Sequence, residues 1–285
     1  MRDIMSKKQT KKNIRNVVFC VLSFILALFL FVNSVCMLSV AFFLNENAWI
    51  DQMNSSNYFT DKADEIKNKL VFLGNAGGLP PEFFENVVDP IQVANDTQTY
   101  MDAYFNGRTA GVDGTAFKRK FSSELDRYIT ENNAKYDDNN KDYLVDNAVL
   151  IYTNGLEIPL FYKLSELFAE LKGVMPFVIA GLGAGMAAIV LVLFFCNKWK
   201  HRTFKYYCYS CAGAFLSLLA VSIYMSVAGG LKNIVLESRA LYDTAVSFGT
   251  SISIALWILT AFFLIIALLM YVIYSNKIRK VSATD

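Results

Sequence analysis

Disulfide chemistry is missing from the longest polar block of this sequence, residues 45–172, because none of the five cysteines lies in it. All five lie in or beside long apolar runs. Secreted domains of this size are often built on disulfides, and this block cannot be. Its abundance of Lys, Asn, Asp and Tyr without cysteine is typical of a bacterial surface protein.

Histidine is equally scarce, since His201 is the only one and lies outside the polar block. The block therefore lacks the commonest general base for a serine or cysteine nucleophile. The sequence also has no GxSxG, HExxH or phosphate-binding glycine motif. The sequence also has four long uncharged runs, with the large polar block following the first of them. This layout is similar to that of the lipoprotein intramolecular transacylases of Gram-positive bacteria, but those enzymes depend on histidines in the corresponding loop. We predict no catalytic, cofactor-binding or metal-binding residue and no cofactor.

Charged residues are absent from four long runs, which span residues 17–44, 174–197, 206–231 and 244–276. Each run exceeds the roughly 20 residues that cross a bilayer as a helix. We therefore predict an all-α membrane protein with four transmembrane helices. Pumps and secondary transporters usually carry ionisable groups inside their spans, so the same absence argues against a standalone transporter. A channel lined by Ser and Thr stays open.

Basic residues are concentrated beside these runs, in residues 1–16, 198–205 and 276–285. The positive-inside rule assigns such segments to the cytoplasm. The polar block then faces outside, and its 21 acidic and 12 basic residues give it a net charge of −9. We predict a multi-pass protein of the cell membrane with both termini cytoplasmic.

These boundaries give the predicted domain order. The chain runs through a basic cytoplasmic tail (1–16), the first span (17–44), an extracytoplasmic helical domain inserted between spans one and two (45–172), the second span (174–197), a cytoplasmic loop (198–205), the third span (206–229), a short outer loop (230–246), the fourth span (247–275) and a cytoplasmic tail (276–285).

The polar block is predicted to be mostly helical, because apolar residues recur at helical spacing between capping residues. The predicted helices run from Thr60 or Asp61 to Leu73, over Glu82–Val88, from Asp89-Pro90 to about Phe105, over about Thr115–Asn132, and from Pro159 toward the second span with a break or bend near Gly173 and Pro176. The apolar face of the third is assigned to Ile91, Ala94, Gln98, Met101 and Phe105. Residues Tyr143–Tyr152 fit a helix or a strand.

Two sets of residues have spacings that suggest metal sites. Cys196, His201, Cys208 and Cys211 could hold zinc or act in redox chemistry, although packing inside the membrane is the favoured interpretation. Asp138, Asn140 and Asp142 resemble the start of a calcium loop, but the glycine and glutamate that such a loop needs are replaced by Tyr143 and Val149.

Two further features could bind partners. Gly181 and Gly185 have the spacing of closely packed transmembrane helices, which indicates packing within the bundle or a homodimer through this face. The segment from Gly77 to Phe84 is either a flexible partner-binding loop or a turn whose phenylalanines enter the domain core.

We favour a non-enzymatic membrane protein whose acidic outer domain binds or senses an envelope partner while its spans anchor or assemble a complex. The expected partners are the lipid bilayer and a membrane or envelope protein, with no nucleic acid. One alternative is a membrane enzyme acting on lipid or envelope substrates, and another is an accessory subunit of a transporter. The enzyme would use outer carboxylates, with the candidates Asp61, Asp64, Glu65, Glu82 and Glu85.

Overall fold

A computed structural model describes residues 2–108, 111–134, 137–158, 161–197, 200–227 and 230–282. These residues form helices joined by turns, with no strand among them, as the all-α prediction requires. The α-helices are α1 (Arg2–Leu38), α2 (Glu46–Ser55), α3 (Tyr58–Gly77), α4 (Pro90–Phe105), α5 (Thr115–Asn132), α6 (Asp138–Leu156), α7 (Phe161–Phe195), α8 (Lys200–Val227) and α9 (Arg239–Ser282). Short π- or 3-10-helical turns cover Ser39–Phe43, Pro81–Glu85 and Gly230–Asn233.

Four helices in the described residues are long and apolar enough to cross a membrane, which confirms this part of the prediction. The candidate spans are Ile14–Phe43, Ser165–Phe195, Arg202–Asn233 and Arg239–Arg279, of which the third also includes residues 228 and 229, outside the described ranges. The helix of the fourth span begins at Arg239, whereas the predicted span begins at residue 247. Ser238 explains the earlier start, because its hydroxyl accepts a hydrogen bond from the Leu241 N–H at 3.3 Å and caps the helix.

Of the break or bend predicted near Gly173 and Pro176, the break is not found, because α7 is one helix from Phe161 to Phe195 with Pro176 inside it. A proline removes one backbone hydrogen bond from a helix. In transmembrane helices, neighbouring groups commonly compensate for that loss.

The chain forms two compact units. The inserted unit comprises Phe43–Gly173 together with Leu231–Phe248, and the span unit comprises the remaining residues, which include most of the four candidate spans. Residues 230–246 are predicted to form a separate short loop, whereas the structure groups Leu231–Phe248 with Phe43–Gly173 in one unit.

Aromatic side chains dominate the core of the inserted unit. The rings of Phe117 and Tyr152 stack with centroids 4.1 Å apart, and both side chains are buried. The Tyr152 hydroxyl donates a hydrogen bond to Asp96 at 2.6 Å, so its polar end is satisfied. Full burial of one such side chain stabilises the fold by about 1.5–3 kcal/mol. This core fixes the helices that carry the site described below.

The buried face of α4 differs from the predicted one. Ile91 is 70% exposed, while Val93, Tyr100 and Tyr104 are buried. Met101 and Phe105 are buried as predicted. Because the two tyrosines have more apolar area to bury than Ile91, the side of α4 that carries them faces the core.

Residues Tyr143–Tyr152 lie in α6, which decides the open choice in favour of a helix. This helix begins at Asp138, the first residue of the segment that resembles the start of a calcium loop. The acidic Asp138 in its first turn is favourable there, because the helix dipole is positive at the N-terminus.

Small and hydroxyl-bearing residues pack the span unit. Ser23 of α1 donates a hydrogen bond to the Tyr206 carbonyl of α8 at 2.8 Å. Between α8 and α9, the hydroxyls of Ser222 and Thr260 are 3.1 Å apart. Close packing of small residues and interhelical hydrogen bonds are the usual means by which helices associate in lipid.

Candidate functional site

A cluster of three polar side chains fixes the start of α9 to α3. The Glu65 carboxylate accepts hydrogen bonds from the Ser238 hydroxyl at 2.7 Å and from the Ala240 N–H at 3.0 Å. The Lys62 ammonium donates to Glu65 and to the Ser238 oxygen, both at 3.1 Å. We call Lys62, Glu65 and Ser238 the clip, because they join residues far apart in the chain.

The sequence places the members of the clip where they can meet. Lys62 and Glu65 are three residues apart on α3, so their side chains lie on the same side of that helix. Ser238 precedes α9, and its side chain satisfies one of the N–H groups that a helix leaves unpaired at its start. Glu65 satisfies a second one at Ala240.

The electrostatics of the clip favour the charged carboxylate. Burial alone would raise the pKa of Glu65. The hydrogen bonds from the Ala240 N–H and the Ser238 hydroxyl, together with the Lys62 ammonium, outweigh burial and hold the pKa of Glu65 below its ordinary value. The Lys62 side chain is only 7% exposed, so its charge is paired inside the unit.

The clip lines an open cleft of about 410 Å³. Asn154, Gly155 and Glu157 at the end of α6 line the same cleft, as do Leu236 and Leu241. The size falls within the range of about 300–1,000 Å³ that small-molecule sites occupy.

An exposed apolar tip lies next to the cleft, formed by Ile234, Val235 and Leu236. Val235 is 96% exposed and its two neighbours are each 38% exposed. Three consecutive apolar residues at the surface are unusual unless they meet a partner or a membrane.

The chemistry open to the clip is limited by the bonds already made. A serine hydroxyl within hydrogen-bond distance of a carboxylate and an ammonium has the proximity that a nucleophile needs. However, Ser238 also caps α9 through the Leu241 N–H. The Ala240 N–H, which could otherwise stabilise an oxyanion, is bonded to Glu65. The arrangement therefore acts first as a structural tie.

Of the five candidate carboxylates, only Glu65 belongs to the clip. Asp64, Glu82 and Glu85 are exposed, and neither they nor Asp61 is found among the residues that line the cleft. Lys62 and Ser238 are not among the residues that the sequence suggests for a site. The serine before α9 is an N-cap signal that could have indicated the start of the helix.

The suggested calcium loop is not formed, and the suggested zinc or redox site lies partly outside the described side chains. In the part of the chain that the structure describes, no group of three or more His, Cys, Asp or Glu side chains is placed to hold a metal ion. Asp138 and Asp142 lie in the first turns of α6, and a helix cannot wrap a cation as a calcium loop does. Cys208 and Cys211 are free thiols, and His201 lies outside the residues whose side chains are described.

The segment from Gly77 to Phe84 is a turn whose phenylalanines enter the domain core, which is the second of the two predicted alternatives. Phe84 is buried, and the Phe83 ring packs against Phe84 and Phe121 with centroids 4.9 and 5.8 Å away. Gly74 is needed beneath it, because a Cβ there would overlap the Phe84 ring.

The two glycines of the predicted dimer face have different surroundings. A Cβ on Gly185 would lie 2.8 Å from the Phe29 ring of α1, so this glycine packs within the chain. A Cβ on Gly181 would meet no described atom within 4 Å. The homodimer through Gly181 and Gly185 stays a prediction.

Comparisons with known proteins add no identity to this geometry: no protein-family model, curated protein or solved structure matches the chain.

Proposed function

We propose that this chain is a non-enzymatic multi-pass membrane protein whose inserted unit lies outside the cell and binds a membrane or envelope protein. The spans would anchor the resulting complex. The observation that carries the proposal is the apolar tip, in which Val235 is 96% exposed between two further apolar residues.

The tip is held in place, which supports recognition. The clip and the Ser238 cap fix the chain immediately after it. At the start of the tip, the Ile234 N–H donates a hydrogen bond to the Leu231 carbonyl at 3.3 Å. A preorganised apolar surface loses less conformational freedom when it binds than a mobile loop does.

Charged residues surround the tip, which is the usual pattern of a protein interface. Lys232, Glu237 and Arg239 are exposed on either side of it. Interfaces commonly combine an apolar centre with a polar rim. The basic segments beside the spans support the outside location of this surface.

Site-specific photo-cross-linking from the tip tests the proposal. A photoreactive amino acid replaces Val235 in the full chain, and native membranes are irradiated. Phe72, which is 82% exposed on α3, receives the same amino acid as the control. We expect a discrete protein adduct from position 235 that position 72 does not give. Identical adducts from both positions, or none from position 235, would overturn the proposal.

The identity of the captured protein refines the function. Capture of an ATPase or a permease would assign the chain to the accessory subunits of a transporter. Capture of another envelope protein would assign it to an anchoring or sensing complex.

The second candidate function is a membrane enzyme, which the position of Ser238 favours. Its hydroxyl lies 2.7 Å from Glu65 and 3.1 Å from Lys62 in an open cleft. Ser238→Asn distinguishes a membrane enzyme from a binding protein, because asparagine also caps helices but supplies no nucleophile. An enzyme loses function in Ser238→Asn and in Ser238→Ala alike. A binding protein keeps it in Ser238→Asn, as measured by complementation of a deletion strain.

A further inference from the structure

A second cavity of the inserted unit, of about 230 Å³, has an almost wholly apolar lining. Helix α2 contributes Trp49 and Met53, and α9 contributes Leu241 and Phe248. Thr244 brings a hydroxyl to the lining, but that hydroxyl donates to the Ala240 carbonyl at 2.9 Å and lies 2.8 Å from the Ser56 hydroxyl. The lining therefore has little to offer a water molecule.

The size of the cavity indicates a ligand larger than water. The cavity is partly open to the surface of the unit, so an apolar group can enter it without a change in the fold. An apolar cavity of roughly 150 Å³ is known to stay free of water and to bind benzene. A larger space with aromatic walls forgoes many dispersion contacts unless an apolar group fills it.

The residues that line the cavity adjoin the membrane in sequence. Phe43 is the last residue of the first candidate span, and Ala245 and Phe248 lie within the fourth. Phe43 is 43% exposed, so the lining reaches the surface of the unit at this residue. Hydrocarbon chains are abundant at the ends of transmembrane segments, whereas a dissolved apolar ligand would have to come from water.

We propose that this cavity binds one acyl chain of a membrane phospholipid. The cleft of the clip gives a place for the headgroup, because Leu236 and Leu241 line both spaces. The basic and acidic residues of the cleft are equal in number, so we expect no selection for headgroup charge. They are Lys62, Lys69 and Arg239 against Glu65, Glu157 and Glu237.

Photolabelling in a defined bilayer tests the proposal. The full chain is reconstituted into phosphatidylcholine vesicles that contain a phosphatidylcholine with a diazirine near the end of one acyl chain. After irradiation, mass spectrometry maps the labelled peptides. We expect label on residues 46–55, which lie outside the candidate spans, in addition to label on the spans themselves. Its absence from residues 46–55 would overturn the proposal.

A variant that fills the cavity gives the decisive comparison. Ala245 lines the cavity, so Ala245→Trp should lose the label on residues 46–55 while the label on the spans persists. Ala116→Trp places the same side chain at an exposed position of α5 and should label as the natural chain does. Unchanged labelling of residues 46–55 in a folded Ala245→Trp protein would contradict the proposal.

Additional measurements serve as controls for this comparison. Ala245→Leu fills less of the cavity and should lose part of the label, and thermal unfolding checks that both variants are folded.

A diazirine-bearing free fatty acid is used in parallel, and label from it but not from the phospholipid would overturn the phospholipid assignment. Cross-linking from Val235 is scored separately, so this proposal and the protein-binding proposal can fail independently.

Discussion

The inserted unit and the span unit are stabilised by different kinds of side chain. Large aromatic residues such as Phe84, Phe117 and Tyr152 fill the core of the inserted unit. In the span unit, Gly213 lets α8 approach α1 closely, since a Cβ there would lie 2.9 Å from the Ala27 Cβ. The hydroxyls of Ser23 and Ser210 are 3.0 Å apart between the same two helices.

This difference follows from the surroundings that each unit is expected to have. In water, burial of apolar area drives folding, and large aromatic side chains bury the most. In a bilayer, lipid tails are as apolar as the side chains, so helices gain little from burial and depend on close packing and hydrogen bonds. Substitutions in the aromatic core should therefore cost more than substitutions at the helix contacts of the span unit.

The largest effect is expected for Phe117→Ala, which removes a fully buried ring that stacks on Tyr152. We expect it to lower the free energy of unfolding of the inserted unit by about 3–5 kcal/mol. Hydrogen exchange of α5 and α6 in the full chain measures this loss. Phe72→Ala, at an 82% exposed position, should leave exchange nearly unchanged. Equal effects of the two variants would refute the assigned core.

The next effect is expected for Glu65→Gln, which keeps the shape of the side chain but removes its charge. Hydrogen bonds to charged groups are stronger than neutral ones, so we expect a loss of about 1–3 kcal/mol at neutral pH. The pKa of Glu65 is lower in the folded chain than its ordinary value, 4.5. The stability difference between the natural chain and Glu65→Gln should therefore be complete above that value and disappear as the pH falls through the lowered pKa.

Thermal unfolding between neutral pH and about pH 3 measures this dependence, since the difference is set by carboxylate protonation. Glu82→Gln is the matched control, because Glu82 is exposed and lies outside the clip. A difference for Glu65→Gln that does not change with pH would show that the carboxylate charge does not stabilise the start of α9.

A smaller effect is expected for Gly213→Ala. The added methyl would force α8 and α1 apart, at a cost of about 1 kcal/mol, which is the low end for overpacking. Gly183→Ala is the control, because a Cβ there would meet no described atom within 4 Å. Thermal unfolding in lipid nanodiscs compares the two. Equal unfolding temperatures would contradict the close contact between α1 and α8.

Local sequence signals predicted much of the fold, because the residues that begin and end a helix lie beside it in the sequence. The predicted helix Thr115–Asn132 is α5 with the same bounds. The predicted buried face of α4 was wrong at Ile91, because periodicity alone does not show which apolar residues of a helix pack against the core. The clip could not be predicted, since Glu65 and Ser238 are 173 residues apart and no short-range pattern links them.

The smallest effect is expected at the contact between Ser222 and Thr260, whose hydroxyls lie 3.1 Å apart. Each hydroxyl has one proton, and each also lies within bonding distance of a carbonyl of its own helix, at Leu218 and Leu256. The interhelical bond must therefore compete with a local bond for the same proton. We expect Ser222→Ala to cost about 0.6 kcal/mol, the average for such bonds in membranes.

Ser39→Ala provides the comparison for this contact, because Ser39 is only partly buried and its hydroxyl donates a hydrogen bond to the Val35 carbonyl at 3.0 Å within the same candidate span. Reversible unfolding in nanodiscs should show a loss for Ser222→Ala and almost none for Ser39→Ala. The double variant Ser222→Ala with Thr260→Ala should then cost little more than Ser222→Ala alone, since both remove the same bond. Additive losses would mean that each hydroxyl is used mainly within its own helix. Hydroxyl pairing would then contribute little to the contact between α8 and α9.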